Sequence, residues 1–213
     1  MGDKMKHKYN NIISTILPSK KINIFTIITV ILGVTTGAIF ANIIGINDKN
    51  LVIDKIKLFI ESINTNSINN ISVLKNSISI NLIYVIIIWL LGMTLLGIIL
   101  CILMLFIKSF IIGFSLSSFI ITYKYKGIIL STLYLIFGQL LNIVTIIILT
   151  IYSILFTKKL LDTIFKNNNK DMKKTLKNYL IILLIAIIIS TISSLCESFL
   201  LPPLIKLIIK LYI

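Results

Sequence analysis

The sequence predicts an all-α polytopic membrane protein with about five transmembrane helices and a short amphipathic extracytoplasmic helix. Three observations carry this. Of the 213 residues, 57% are apolar and only 13% are charged, too few polar groups to coat a soluble domain of this size. Several apolar runs reach the roughly 20 residues that a helix needs to cross a hydrocarbon core. Lysines gather in the polar segments between those runs, the pattern expected of a chain threaded through a bilayer.

Residues 1–21 form a basic head, with Lys4, Lys6, Lys8, Lys20 and Lys21 against Asp3, and Pro18 breaks any helix before the first apolar run. Residues 22–44 form the first span. The run is too long for the apolar core of a signal peptide and lacks a clean cleavage site, so it reads as a retained helix. Residues 45–81 are the longest polar connection. Val52, Ile56, Phe59, Ile60 and Ile63 fall on one helix face there, a candidate extracytoplasmic contact face of a helix lying on the membrane. The Asn- and Ser-rich second half of the connection reads as a loop.

Residues 82–107 and 109–123 read as the second and third spans. Lys108 between them is taken as a cytoplasmic turn, its stem snorkelling to the headgroups. After the turn at Lys124–Gly127, residues 128–156 form the fourth span, interrupted by Gly138, Gln139 and Asn142. Residues 157–178 form a second basic loop, and 179–201 form the fifth span. The five-helix transmembrane domain is therefore expected at 22–201. Pro202 and Pro203 open an apolar tail, 202–213, that is too short to cross and reads as interfacial. Tyr84, Tyr123, Tyr125, Phe156 and Tyr179 suit aromatic belts at span ends.

Lysine placement predicts orientation. The basic head and the 157–178 loop share a side only if an even number of spans separates them, and the four spans between them satisfy this. The N-terminus is then cytoplasmic, while the C-terminus and the 45–81 segment are extracytoplasmic.

Composition also narrows the chemistry. All basic side chains but His7 are lysines, so the bidentate arginine contacts common in nucleic-acid readers are missing, and no nucleic-acid partner is expected. Cys101 and Cys196 lie in apolar runs, with no disulfide framework or metal-ligand spacing. No phosphate-binding loop, zinc-protease helix, nucleophile elbow or paired carboxylate occurs. No catalytic residue, metal site or cofactor is expected.

The remaining candidates are polar or small residues within apolar runs. Glu197 is the sharpest, because a charge at a helix centre costs about 2.5–3.5 kcal/mol on insertion scales. It reads either as a partner-facing or proton-linked carboxylate or as an interfacial or neutral, bonded one. Gln139 and Asn142 lie three apart and face the same way, as interhelical glue or as part of a substrate path. Gly33 and Gly37 form a GxxxG stretch, and with Gly92, Gly97 and Gly113 they are candidate helix-packing positions. Packing within the monomer is favoured at Gly33 and Gly37 over a seam between copies in a homo-oligomer.

Order and spacing along the chain carry a resemblance. FTIITVILGVTTGAIFAN, with the LGxxxGA core at Leu32–Ala38, is similar to the opening helix of the stage II sporulation protein M family of endospore-forming bacteria. NLIYVIIIWLLGMTLLGIILCILMLFIKSFIIGF resembles the family's second and third helices at Asn81, Gly92, Gly97, Lys108 and Gly113. FGQLLNI at Phe137–Ile143 sits at the family's polar break, without a Pro or His beside it, and CESFLLPPLI resembles its Glu-containing helix end. The resemblance runs from about residue 22 to residue 205.

The resemblance implies a non-catalytic scaffold of the engulfment complex in the mother-cell septal or engulfing membrane. Its implied partners are the sporulation peptidoglycan hydrolases, proteins D and P, alongside membrane lipid. The alternative reading is a membrane subunit of a transporter, partnered with an ATPase, in which Gln139, Asn142 and Glu197 line a path.

Overall fold

The computed structural model describes residues 20–65, 67–166 and 172–212. The head with Lys4, Lys6, Lys8 and Pro18, and Lys170 and Asp171 of the basic loop, lie outside the described residues. Among the described residues there are six helices and no strand. They are α1 (Lys20–Ile43), α2 (Ile46–Asn64), α3 (Asn70–Gly92), α4 (Gly97–Tyr123), α5 (residues 125–166) and α6 (residues 172–212). All but α2 are long and apolar enough to cross a membrane, giving five spans.

Several expected boundaries move: α5 continues to Lys166 and α6 begins at Met172, so both flanks of the expected 157–178 loop are helical, and α6 runs past residue 201 to Tyr212. The break between the second and third spans falls at residues 93–96 and not at Lys108. Met93 N–H donates to the Leu90 carbonyl at 3.0 Å and Gly97 N–H to that of Thr94 at 3.1 Å, closing a tight turn. Gly92 and Gly97 end and begin the helices that flank it; a Cβ on Gly97 would stand 3.2 Å from the Gly92 Cα. The short third span becomes a full helix, with Lys108 near its middle. The second span also begins earlier, at Asn70, inside the segment expected to be a loop. Asn69 caps it, its side-chain oxygen accepting from the Ile71 and Ser72 N–H groups at 3.0 and 3.3 Å, as a helix N-terminus requires.

Four spans, α3 to α6, form the core bundle, and α1 lies along the outside of α4. The core has layers. Toward the end where α5 runs into the basic loop, Val85 and Ile88 of α3, Cys101 and Leu105 of α4, Ile146 and Leu149 of α5 and Ala186 of α6 form one apolar cluster. At the other end Ile60 and Ile63 of α2, Phe119 of α4, Leu130 of α5 and Leu201, Ile205 and Ile209 of α6 form a second. Helix α2 thus closes one end of the bundle, its apolar stripe packed on α4 and α6. Ile60 and Ile63 are buried there, and Ile56 and Phe59 pack beside them. The residues expected to offer an outward contact face are largely used within the chain.

The α1–α4 seam shows how small residues replace the hydrophobic drive that lipid cannot supply. The buried stripe of α1 is Thr26, Thr29, Gly33, Gly37 and Ala41, at helical spacing. A Cβ on Gly33 would stand 2.6 Å from the Ser109 Cβ, and one on Gly37 would run into the Phe110 carbonyl. Gly113 receives the Val34 carbonyl in the same way. Phe40 closes the seam against Phe110 with ring centroids 5.5 Å apart, and Asn42 Nδ2 donates to Ser117 Oγ at 3.2 Å. The GxxxG face is therefore occupied within one chain. Replacing Gly37 with Leu should overpack this seam and cost about 1–3 kcal/mol. The same change at exposed Thr36 should fall within about 0.5 kcal/mol. Thermal unfolding of both variants in detergent checks this, and equal losses would contradict the seam.

Candidate functional site: a polar layer inside the bundle

Between the two apolar clusters lies a continuous set of polar side chains, with contributions from α3, α4, α5 and α6. Asn81 of α3 is its hub. Its side-chain oxygen accepts from Lys108 Nζ at 3.3 Å and from Asn142 Nδ2 at 2.5 Å. Its Nδ2 donates to Ser77 Oγ at 3.3 Å and to Ser194 Oγ at 3.0 Å. Ser77 Oγ in turn donates to Glu197 Oε2 at 2.5 Å. The other Glu197 oxygen accepts from Gln139 Nε2 at 3.3 Å, and Ser190 Oγ donates to the Asn142 oxygen at 3.5 Å.

The two charges are thus joined by relays. From Lys108 through Asn81 and Ser77 to Glu197, every donor points the same way, from ammonium toward carboxylate. Such aligned bonds polarise one another in a low-dielectric interior. The Asn81 amide has a carbonyl oxygen with two lone pairs and two N–H donors, so it accepts from Lys108 and Asn142 while donating to Ser77 and Ser194. The ammonium also sits over the Tyr84 ring, 4.9 Å from its centroid, a cation–π contact that adds to its stabilisation. Lys108 is only 4% exposed and Asn142 fully buried.

Local sequence places these groups. Ser77, Asn81, Val85, Ile88 and Gly92 form the single buried stripe of α3, so the polar pair and the apolar pair face the same interior at different depths. Two π-helical turns aim the α5 and α6 groups. One covers Tyr134–Gln139 and ends on Gln139; the other covers Cys196–Leu200 and carries Glu197. The two turns lie against each other. The second has a visible cause. Pro202 and Pro203 have no N–H for the Ser198 and Phe199 carbonyls, and the backbone before them is wound wider, with Leu201 N–H bonding to the Cys196 oxygen. π-turns widen a helix locally and are frequent at functional sites.

Expectation and structure differ at several points. Glu197 is not at a helix end, because α6 continues through both prolines to Tyr212. It faces the interior, with Lys108 as its electrostatic neighbour. Lys108 is not a turn residue, since it stands twelve places into α4 and is buried. Tyr84 belongs to no aromatic belt: it sits mid-helix beside that lysine. Phe156 and Tyr179 stack on each other, centroids 4.4 Å apart, in a buried clamp. Tyr179 also exchanges bonds with Trp89 there, its hydroxyl donating to the Trp89 carbonyl at 2.8 Å and its own carbonyl accepting from the indole N–H at 3.3 Å. Gln139, Asn142 and Glu197 are brought into one layer. Ser77, Asn81, Lys108, Ser190 and Ser194 complete it, and the sequence signal was the four-residue spacing of Ser77 with Asn81 and of Ser190 with Ser194.

Among the described residues, no group of His, Cys, Asp and Glu is placed to hold a metal ion. Both Glu197 oxygens are engaged by neighbouring side chains, so the layer ties helices together. Replacing Asn81 with Leu should strand Lys108 and the Asn142 amide and cost about 3–5 kcal/mol, the usual range for breaking a buried ionic network. Asn76→Leu, exposed on the same helix, should change stability by less than about 0.5 kcal/mol. Unfolding of the purified variants in detergent measures both, and a small loss for Asn81→Leu would count against the hub.

The sequence that builds this layer matches one known family model. No curated protein and no solved structure matches the chain. The family model described as stage II sporulation protein M matches residues 25–202. That match runs from the start of the α1 seam through the Glu197 turn to Pro202, and so takes in every member of the polar layer. The chain belongs to the stage II sporulation protein M family.

Proposed function

We propose that this sporulation membrane protein is a non-catalytic scaffold of the engulfment complex, which holds septal peptidoglycan hydrolases, sporulation proteins D and P, at the engulfing membrane. The observation that carries the reading is the polar layer. Its charged and amide groups bond to one another across four helices, an arrangement suited to a rigid platform. Family membership supplies the cellular process. The transport reading needs Gln139, Asn142 and Glu197 to face a path, and the bonds of Gln139 to Glu197 and of Asn142 to Asn81 favour the scaffold instead.

In this account the basic head and loop lie in the cytoplasm, following the lysine rule. The α2-capped end then faces the hydrolases. The inner stripe of α2 is committed to the bundle, so the partner surface is its outer stripe, which includes exposed Leu51, Asp54, Leu58 and Glu61. Affinity purification from sporulating cells tests this. The native chain should recover peptidoglycan hydrolases. A Leu51→Asp/Leu58→Asp variant should accumulate in the membrane at native levels and recover at least about tenfold less, a loss of about 1.4 kcal/mol. Undiminished recovery would remove α2 as the surface, and recovery of an ATPase in place of hydrolases would overturn the scaffold.

A further inference from the structure

At the lysine-rich end of the bundle, α5 and α6 part to leave a groove of about 630 Å³. Its lining is divided by depth. Lys159, Thr175 and Asn178 lie at the end nearer the basic loop, while Leu155, Phe156 and Ile182 lie deeper. A second hollow of about 210 Å³ shares Tyr152 and Ile182 with it and continues between the same helices past Ile185 and Ile189. Together they make a slot that is polar and cationic at one end and apolar along its length. The surrounding charge has one dominant sign, since Lys158, Lys159, Lys173, Lys174 and Lys177 stand against Asp162 among the described residues at this end.

We propose that this slot binds an anionic phospholipid. The headgroup phosphate lies against Lys159 and Asn178, and one acyl chain runs along Ile182, Ile185 and Ile189 toward the polar layer. The volume is within the range of small-molecule sites. The lysine stem rests on apolar surface while its ammonium reaches headgroup level. Basic pockets between transmembrane helices bind anionic headgroups by the same physics. A zwitterionic lipid fills the apolar part equally well but gains less from the cationic end, so the site discriminates by headgroup charge.

The chain's single tryptophan supplies the probe. Trp89 stacks on Tyr179, centroids 5.5 Å apart, and Tyr179 lines the groove. The full chain is reconstituted in phosphatidylcholine vesicles containing either dibrominated phosphatidylglycerol or dibrominated phosphatidylcholine. The glycerol lipid should quench Trp89 fluorescence at a several-fold lower mole fraction than the choline lipid. Lys159→Gln should remove that preference. Lys158→Gln, which removes the same charge from an exposed position outside the groove, should retain it. Equal quenching by the two lipids in the native chain would overturn the site, and so would an equal response of the two lysine variants. Glycerol 3-phosphate at millimolar concentration should leave the quenching unchanged. Relief by it would assign the cationic end to a free phosphate and overturn the lipid.

Discussion

A lysine and a glutamate in the middle of an apolar bundle must each find a partner, or the helices that carry them will not stay in the membrane. Desolvating an ion costs several kcal/mol even after the protein relaxes around it. Here the two charges do not touch. Asn81 and Ser77 stand between them and pass hydrogen bonds in one direction, from Lys108 to Glu197. Much of the fold follows from holding that chain closed. Helix α3 must present Ser77 and Asn81 on one stripe, α4 must bury its central lysine, and α6 must swing Glu197 inward. The prolines after Glu197, with the π-turn they favour, belong to the same requirement.

The apolar parts of the structure flank this layer. On one side of it apolar side chains of α3, α4, α5 and α6 meet in a cluster, and on the other side those of α2, α4, α5 and α6 meet in a second. Lipid is as apolar as those side chains, so burial alone gives transmembrane helices little reason to associate. Specific polar bonds and close backbone approach fix the register instead. The polar layer sets the depth of α3, α4, α5 and α6, and the glycine seam attaches α1 to α4. A platform specified in this way keeps one shape, which suits a protein that positions others.

The number of spans was legible in the sequence because each crossing leaves a long apolar run. The amphipathic α2 was legible from the spacing of Val52, Ile56, Phe59, Ile60 and Ile63. The span boundaries were harder to read, for one physical reason. A charge or a polar cluster was taken to mark water, so Lys108 became a turn and the segment around Ser77 a loop. In a membrane protein the same residues also mark the interior, where helices bond to one another. The aromatic positions misled similarly, because Tyr84 offers its ring to Lys108 and Tyr179 uses its polar atoms within the bundle. The π-turns left no signal in residue type beyond Pro202 and Pro203. Glu197 stood out alone and Gln139 and Asn142 as a pair, and only the fold could show that Asn81 joins them to Lys108.

Through Asn81 and Ser77, Lys108 and Glu197 are joined into one energetic unit although they are not in contact. A double-mutant cycle measures this directly: Lys108→Met and Glu197→Leu are made singly and together, with unfolding free energies determined in the same detergent. Each single variant leaves a buried charge without its counterpart and should lose about 3–5 kcal/mol. The double variant removes both charges, and its loss should be smaller than the sum of the two single losses by at least about 1.5 kcal/mol, within the range found for residues in one network. Additive losses would contradict the account, because the two charges would then be independent and the chain through Asn81 and Ser77 would not couple them.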